Sequence, residues 1–311
     1  MYDEERKKQF LSSFASESMR HKYGLYLERA GKVEEKFDCR LEDMTNEQAH
    51  EVALVFGAQR NATVKLLEHL FATYKEWCEE NGIQFKPDVS AFSFDTLSLI
   101  RTHMVFDPAQ LQQKLDLVFH KESVKSTDNI FRAYLWMMFM GIGRQEAVEI
   151  TNEHVDLSVP CVFVGDEVFK IPAEAFPCFY VLATSKSFVV PNPNHSDWTL
   201  DRYSSNQFLR GTVGDNRKYK NIEARIGLAS TSKGVSLRPR DIAYSGVFYR
   251  TYLRELETGS PDFTQYVQDW LASSEVYKNQ DKRSKQKRYQ NVLSSVRKDY
   301  KNWKTVFTNL E

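Results

Sequence analysis

The residues best placed to do chemistry in this sequence are cationic and phenolic. Arginines and lysines gather in "LRPR" (Arg238, Arg240), with Lys233 just before it, in "NRKYK" (Arg217, Lys218, Lys220) and in "DKRSKQKR" (Lys282, Arg283, Lys285, Lys287, Arg288), and Tyr289 follows directly. Guanidinium and ammonium groups at such density hold phosphate, and each phosphate neutralised releases condensed counterions. From Arg202 to Glu311 there are 21 Lys and Arg against 11 Asp and Glu, whereas the first 201 residues carry 21 against 31. A chain of zero net charge is therefore divided into an acidic half and a basic half, and the basic half suits a polyanion. A tyrosine beside cations can attack a phosphodiester, but a phenol of pKa near 10 is a poor nucleophile unless charge is neutralised and a proton path exists. No histidine follows His195, so imidazole is not available for that path anywhere in the basic half.

Other chemistries find little support. The four cysteines (Cys39, Cys78, Cys161, Cys178) form no Cys-x-x-Cys pair and have no histidine at ligand spacing, which argues against a zinc site and a disulfide framework. No cofactor or metal is expected. The sequence contains no run of eighteen apolar residues and no basic leader ahead of an apolar stretch, so a cytoplasmic location is expected.

The elements that must position these groups read as mostly helical. "MTNEQAHEVALVF" opens with a capping box, Thr45 with Gln48 three residues on. "NATVKLLEHLFATYKEWCEENG" spans Asn61 to Gly82 with Val64, Leu67, Leu70, Phe71, Tyr74 and Trp77 on one face. Further helices are expected over Ser93 to Thr102 and Pro108 to Phe119. The polar "HKESVKSTDN" at 120–129 marks a domain boundary, giving a helical domain over 1–120 and a second domain over 121–311. The second domain opens on "IFRAYLWMMFMG", apolar nearly all round and so central to a core. A short helix over 144–152 follows, then "CVFVGDEVFKIP", a β-hairpin about Gly165 and Asp166, with "KSFVVP" as a possible third strand. Helices are expected again over Leu200 to Leu209, Arg238 to Glu257, Asp262 to Ala272 and Lys285 to Phe307. The fold class is mainly α with a small antiparallel sheet, in two domains.

This order of elements resembles the tyrosine recombinases, the phage integrase family, over nearly the whole chain. The resemblance implies a helical core-binding domain of SAM-like type and a catalytic-type domain that clamp duplex DNA between them. In the family, two arginines, a lysine, a histidine and a second histidine or tryptophan assist a tyrosine nucleophile. The first arginine stands in a Gly–apolar–Arg–x–x–Glu–apolar–apolar–x–Leu pattern, matched here without a gap by Gly141 to Ile150, which puts Gly143 at the arginine. A slip by one would bring in Arg144 and take Glu146 and Ile150 off their matches. The second box matches from Leu237 without a gap: Arg240 stands for the histidine, Ala243 for the second arginine and Tyr244 for the histidine after it. "VQDWLASSEVY" places Ala272 and Ser273 where the family has Gly-His. "KQKRYQNVL" makes Tyr289 the positional match of the nucleophile, with Tyr277 and Tyr300 as competitors. The hairpin lysine has no match, Lys170 lying outside the pattern.

The resemblance thus implies the scaffold of a recombinase with no catalytic set. Losing one preorganised electrostatic stabiliser costs about a hundred- to a thousand-fold in rate, and losing a general acid about as much again or more. More particularly, the sequence resembles the lytic-cycle repressor family of SPβ-like temperate phages, which implies a transcriptional repressor that binds operator DNA and maintains lysogeny. The expected double-stranded DNA contacts are Arg60, Lys65, Arg144, Arg217, Lys218, Lys220, Lys233, Arg238, Arg240, Lys285, Lys287 and Arg288. The other two readings are a working recombinase with an atypical site (Arg144, Arg238 or Arg240, Trp270, Tyr289) and an interaction module that engages a recombinase, a small regulatory protein or a second copy. The family's enzymes exchange a C-terminal helix between protomers, and Lys285 to Phe307 is the segment that would do so.

Overall fold

A computed structural model describes residues 3–56, 61–93, 96–120, 126–185, 187–190, 196, 198–201, 206–209, 219–272 and 274–308; of these, the side chains of 61–63, 188–190, 198–201 and 275–276 are left undescribed. The chain divides into two compact units between Ile100 and Arg101. The division expected at 120 is thus moved upstream. The reason is packing: Leu111, Leu115, Val118 and Phe119 share one core with Ile130 to Met140.

The first unit is built from α1 (Glu4–Ser12), α2 (Glu17–Phe37), α3 (Asn46–Phe56), α4 (Asn61–Glu80) and the start of α5 (Thr96–His103). The capping box ahead of α3 is formed as read: Thr45 N donates to Gln48 Oε1 at 2.9 Å and Gln48 N to Thr45 Oγ1 at 3.3 Å. On α4, Val64, Leu67, Leu70, Phe71 and Tyr74 are buried at helical spacing against Phe10, Tyr23, Leu27 and Phe92. Two ion pairs lie inside this core. Lys7 meets Glu34 and Arg6 meets Glu42, while Tyr74 donates to Glu42 Oε2 at 3.1 Å and Leu41 N to Glu34 Oε1 at 3.1 Å.

In the second unit come α6 (Pro108–Val118), α7 (Asp128–Met140) and α8 (Arg144–Glu149), then β1 (Val155–Asp156), β2 (Cys161–Val164) and β3 (Glu167–Lys170) in one antiparallel sheet of order β1-β2-β3. The hairpin expected about Gly165 and Asp166 is present, with Gly165 at φ 58° and Val162 paired with Phe169. Its third strand is β1 rather than "KSFVVP". After α9 (Phe176–Thr184), that stretch forms β4 (Ser187–Val190), paired with β5 (Trp198–Asp201) in a separate two-stranded sheet. Among the described residues the helix expected over Leu200 to Leu209 is not formed: Leu200 pairs with Phe188 in the ladder, and Gln207 bridges to Thr151. The chain ends in α10 (Tyr219–Lys233), α11 (Pro239–Thr258), α12 (Thr264–Ala272), α13 (Glu275–Lys278) and α14 (Lys282–Thr308).

The α7 helix is buried on every side from Asn129 to Met140, as its all-round apolar character requires. It lies directly against α11, where Gly246 permits the contact: a Cβ built there would stand 1.8 Å from the Phe139 carbonyl oxygen. The α14 helix docks on its own unit. Leu293, Val296, Tyr300, Trp303 and Val306 are buried, Trp303 Nε1 donates to the Val105 carbonyl at 3.0 Å, and Phe106, Phe248 and Tyr300 pack around the Trp303 indole. Exchange of this segment between protomers is not what this structure contains, because its apolar face is already covered in cis.

Candidate nucleic-acid interface

The two sequence boxes converge on one cleft of about 840 Å³. Its walls are the end of α7 with the following turn (Met138 to Arg144), Phe169 of β3, one face of α11 and one face of α12. On α11 the lining residues are Arg240, Ala243, Tyr244, Val247, Arg250, Thr251 and Arg254, a 3.6-residue stripe; on α12 they are Gln265, Tyr266, Asp269 and Trp270, with Asp262 just before the helix. Gly143, Arg240, Ala243, Tyr244 and Trp270, separated by up to 127 residues in sequence, are thereby gathered in one place.

The turn at Gly141 is set by backbone geometry. Gly141 closes α7 in the left-handed region at φ 102°, and its N–H donates to the Met137 and Met138 carbonyls, a helix end that favours glycine. Gly143 differs: its φ of −67° and ψ of 157° suit any residue, and a Cβ would meet only the carboxylate of Glu146, which accepts from Gly143 N at 2.8 Å. The backbone does not require glycine where the resemblance puts an arginine.

Arg144, the neighbour that a one-residue slip would recruit, is committed elsewhere. Its Nε lies 3.0 Å from Glu223 Oε1 on α10, and that oxygen also accepts from Tyr134 OH at 2.9 Å. The Arg144 guanidinium sits 5.7 Å from the Tyr219 ring centroid. This charge-assisted bond holds the Nε edge of Arg144 toward α10.

Two lining residues were not singled out from the sequence. Arg250 lies on the floor of the cleft, reached by solvent and yet crowded closely enough that desolvation brings its pKa down to about 10. Its Nη1 donates to the Phe139 carbonyl, one of the last carbonyls of α7, where a cation suits the helix dipole. Tyr266 is the second. Burial, and then its contact with Tyr244, push its hydroxyl well above the ordinary phenol range, while Arg240 and Arg250 pull the other way. The two rings meet edge to face with centroids 6.1 Å apart. Reading α11 and α12 as helical stripes from Arg240 and Trp270 would have found both.

Asp241 is buried in the first turn of α11, and burial raises its carboxyl to about 6 against the pull of Arg238, Arg240 and Lys114. Lys114 donates to the carbonyls of Thr102 and Met104, and burial lowers it to about 8. His103 Nδ1 is 2.7 Å from Ser236 Oγ, and burial, with Arg238 and Lys114, lowers its pKa to about 4.

The remaining expected contacts are placed as follows. Lys65 is exposed on α4, Lys220 and Lys233 on α10, Arg238 and Arg240 at the start of α11. Lys285, Lys287 and Arg288 lie in the first two turns of α14, Lys287 exposed, Lys285 and Arg288 half-buried, with Lys285 5.8 Å from the Tyr277 ring centroid. Tyr289, half-buried on α14, is not among the residues lining the cleft; its tyrosines are Tyr244 and Tyr266. Tyr300 is buried and donates to Glu255. Lys170 is exposed at the end of β3, opposite Cys161. Arg60, Arg217, Lys218 and Ser273 fall outside the described residues. No helix among the described residues is long and apolar enough to cross a membrane.

Residues 1–80 match the protein family described as MrpR, N-terminal core-binding domain. Among solved structures, the chain is similar to the Tn1549 transposon integrase in complex with circular intermediate DNA, at 12% identity over 72% of this chain and 76% of that one, with a TM-score of 0.32. A variant of the same integrase on another circular intermediate DNA is similar at 13% identity over 82% and 86%, with a TM-score of 0.31. No curated protein matches the sequence.

Proposed function

We propose that this chain is a DNA-binding transcriptional repressor of a temperate phage, built on the recombinase scaffold and unable to break the DNA strand. The observation that carries this reading is the makeup of the cleft. The positions that the resemblance assigns to the two arginines hold Gly143 and Ala243, and none of the described residues lining the cleft is a histidine or a lysine. A pentavalent phosphorus there would lack the guanidiniums and the histidine that the family places at these positions, whereas dispersed phosphate contacts by Lys220, Lys233, Arg238, Lys285, Lys287 and Arg288 do not depend on them. The match of residues 1–80 to a core-binding domain supports the same reading.

A mobility shift on phage promoter DNA tests it. Binding is expected to weaken steeply between low and physiological salt, and Arg240→Glu or the triple change Lys285→Glu, Lys287→Glu, Arg288→Glu should abolish it. No shift at low salt rejects the reading.

One observation favours a second reading, an active strand-transfer enzyme: two guanidinium groups, Arg240 and Arg250, act on the hydroxyl of Tyr266. Against it, that hydroxyl is pushed away from ionisation and is hydrogen-bonded with Tyr244. A nicked suicide substrate decides between them. A covalent protein–DNA adduct lost in Tyr266→Phe or Tyr289→Phe establishes the enzyme.

A further inference from the structure

We propose that Glu223 is a positioning residue for DNA: with Tyr134 and Tyr219 it holds Arg144 so that the rest of the guanidinium fork meets a phosphate at the cleft. This role rests on the DNA-binding reading and gives one of its expected contacts a mount. Three elements meet at the arginine. Arg144 is the first residue of α8, exposed, and one of those lining the cleft. From α10, Glu223 Oε1 stands 3.0 Å from its Nε, and the Tyr219 ring centroid, one turn earlier on the same helix face, lies 5.7 Å from the guanidinium carbon. From α7, the Tyr134 hydroxyl donates to the same Glu223 oxygen at 2.9 Å, and Tyr134 is fully buried, so the carboxylate is tied to the core.

An exposed arginine samples many rotamers, and freezing it on a ligand costs entropy. Here the carboxylate takes the Nε edge and a phenol ring backs the guanidinium, so folding already fixes the head. The fork carries five donors, and a partner at Nε leaves the Nη donors for a phosphate, which arginine meets in a planar, two-pronged geometry. Among the described residues no second carboxylate pairs with Arg144. Arg132 of the same unit shows what an arginine committed to structure looks like: it is buried and uses its donors on the His120 and Phe119 carbonyls and on Asp116. A carboxylate beside a polyanion ordinarily repels it, so that removing the carboxylate tightens binding. The mount reverses that sign, because loss of Glu223 frees the arginine and removes a contact.

Mobility shifts of the full chain on phage promoter DNA, across a salt series, test the role. Glu223→Gln keeps the size of the side chain and removes its charge. It should weaken binding about tenfold and lower the slope of log affinity against log salt by about one, as Arg144→Gln should, because each loses one phosphate contact. Added to Arg144→Gln, the change Glu223→Gln should not weaken binding further, a dependence that a carboxylate bracing the fold alone would not show. Tyr134→Phe should weaken binding about two- to fivefold, again only where Arg144 is present. Thermal melts identify a variant that does not fold; should Glu223→Gln fail, Tyr134→Phe decides. Unchanged or tighter binding by the folded variant, or equal weakening with and without Arg144, overturns the role. If the parent chain gives no shift at low salt, the repressor reading falls and takes the role with it; if the parent shifts and the variants shift equally well, the role alone falls.

Discussion

The core of the N-terminal unit and the cleft of the C-terminal unit treat charge in opposite ways. In the first, Lys7 is matched to Glu34 and Arg6 to Glu42, with a tyrosine hydroxyl and a backbone N–H using further oxygens of the two carboxylates. In the second, Arg240, Arg250 and Arg254 line an open cleft with Asp262 and Asp269, and Asp241, buried in the first turn of α11, is pushed toward its neutral form. Charges that are paired inside a core hold that core in register. Charges spread around an open cleft stay within reach of solvent, which screens them.

The largest expected effect falls on the paired region. Lys7→Met should cost about 3–5 kcal/mol in urea unfolding, because it strands Glu34 in the core, and adding Glu34→Leu should recover most of that loss. Equal stability in the single and double variants would mean that the pair is not a unit. Burial lowers Lys7 and raises Glu34, each against the pull of its partner, so both are sensitive to losing that partner.

The cleft should respond with the opposite sign. The folded pKa of Asp241 is raised to about 6, so its ionised form burdens the fold fully above that value, and the burden is relieved as pH falls toward 3.8. Asp241→Asn should therefore stabilise the protein at pH 7.5 by on the order of 2 kcal/mol and have little effect near pH 4. Denaturant titrations at the two pH values check this, and a destabilised variant at pH 7.5 would show that the carboxylate is needed by Arg238 and Arg240. A smaller effect is expected for Arg250→Gln, about 1 kcal/mol, from the lost bond to the end of α7. Least of all, Gly143→Arg should stay within about 0.5 kcal/mol of the parent in thermal unfolding, since the backbone there already suits a side chain.

Much of this was legible in the sequence where a local signal had no competitor. The capping box at Thr45, the stripe of α4, the all-round apolar α7 and the Gly165 turn are each decided within one element. Gly143, Arg240, Ala243 and Tyr244, which the resemblance assigns to the two boxes, line one cleft together with Trp270. Reading failed where pairing outside the element decides the outcome. Leu200 belongs to β5 because Phe188 lies across from it, and residues 101–119 belong to the second unit because α7 covers their apolar side. Arg250 and Tyr266 were passed over because the boxes directed attention to fixed positions rather than to the helical faces that carry them.

The docking of α14 bears on how the protein is made. Trp303 grips the carbonyl of Val105, 198 positions earlier, and shelters Phe106. A ribosome therefore releases almost the entire second unit before the indole that completes its core has been synthesised, and until then Phe106, Phe248 and Tyr252 lack its cover. The nascent chain must wait in a partly open form that chaperones would recognise, and its folding should finish only after α14 has cleared the exit tunnel.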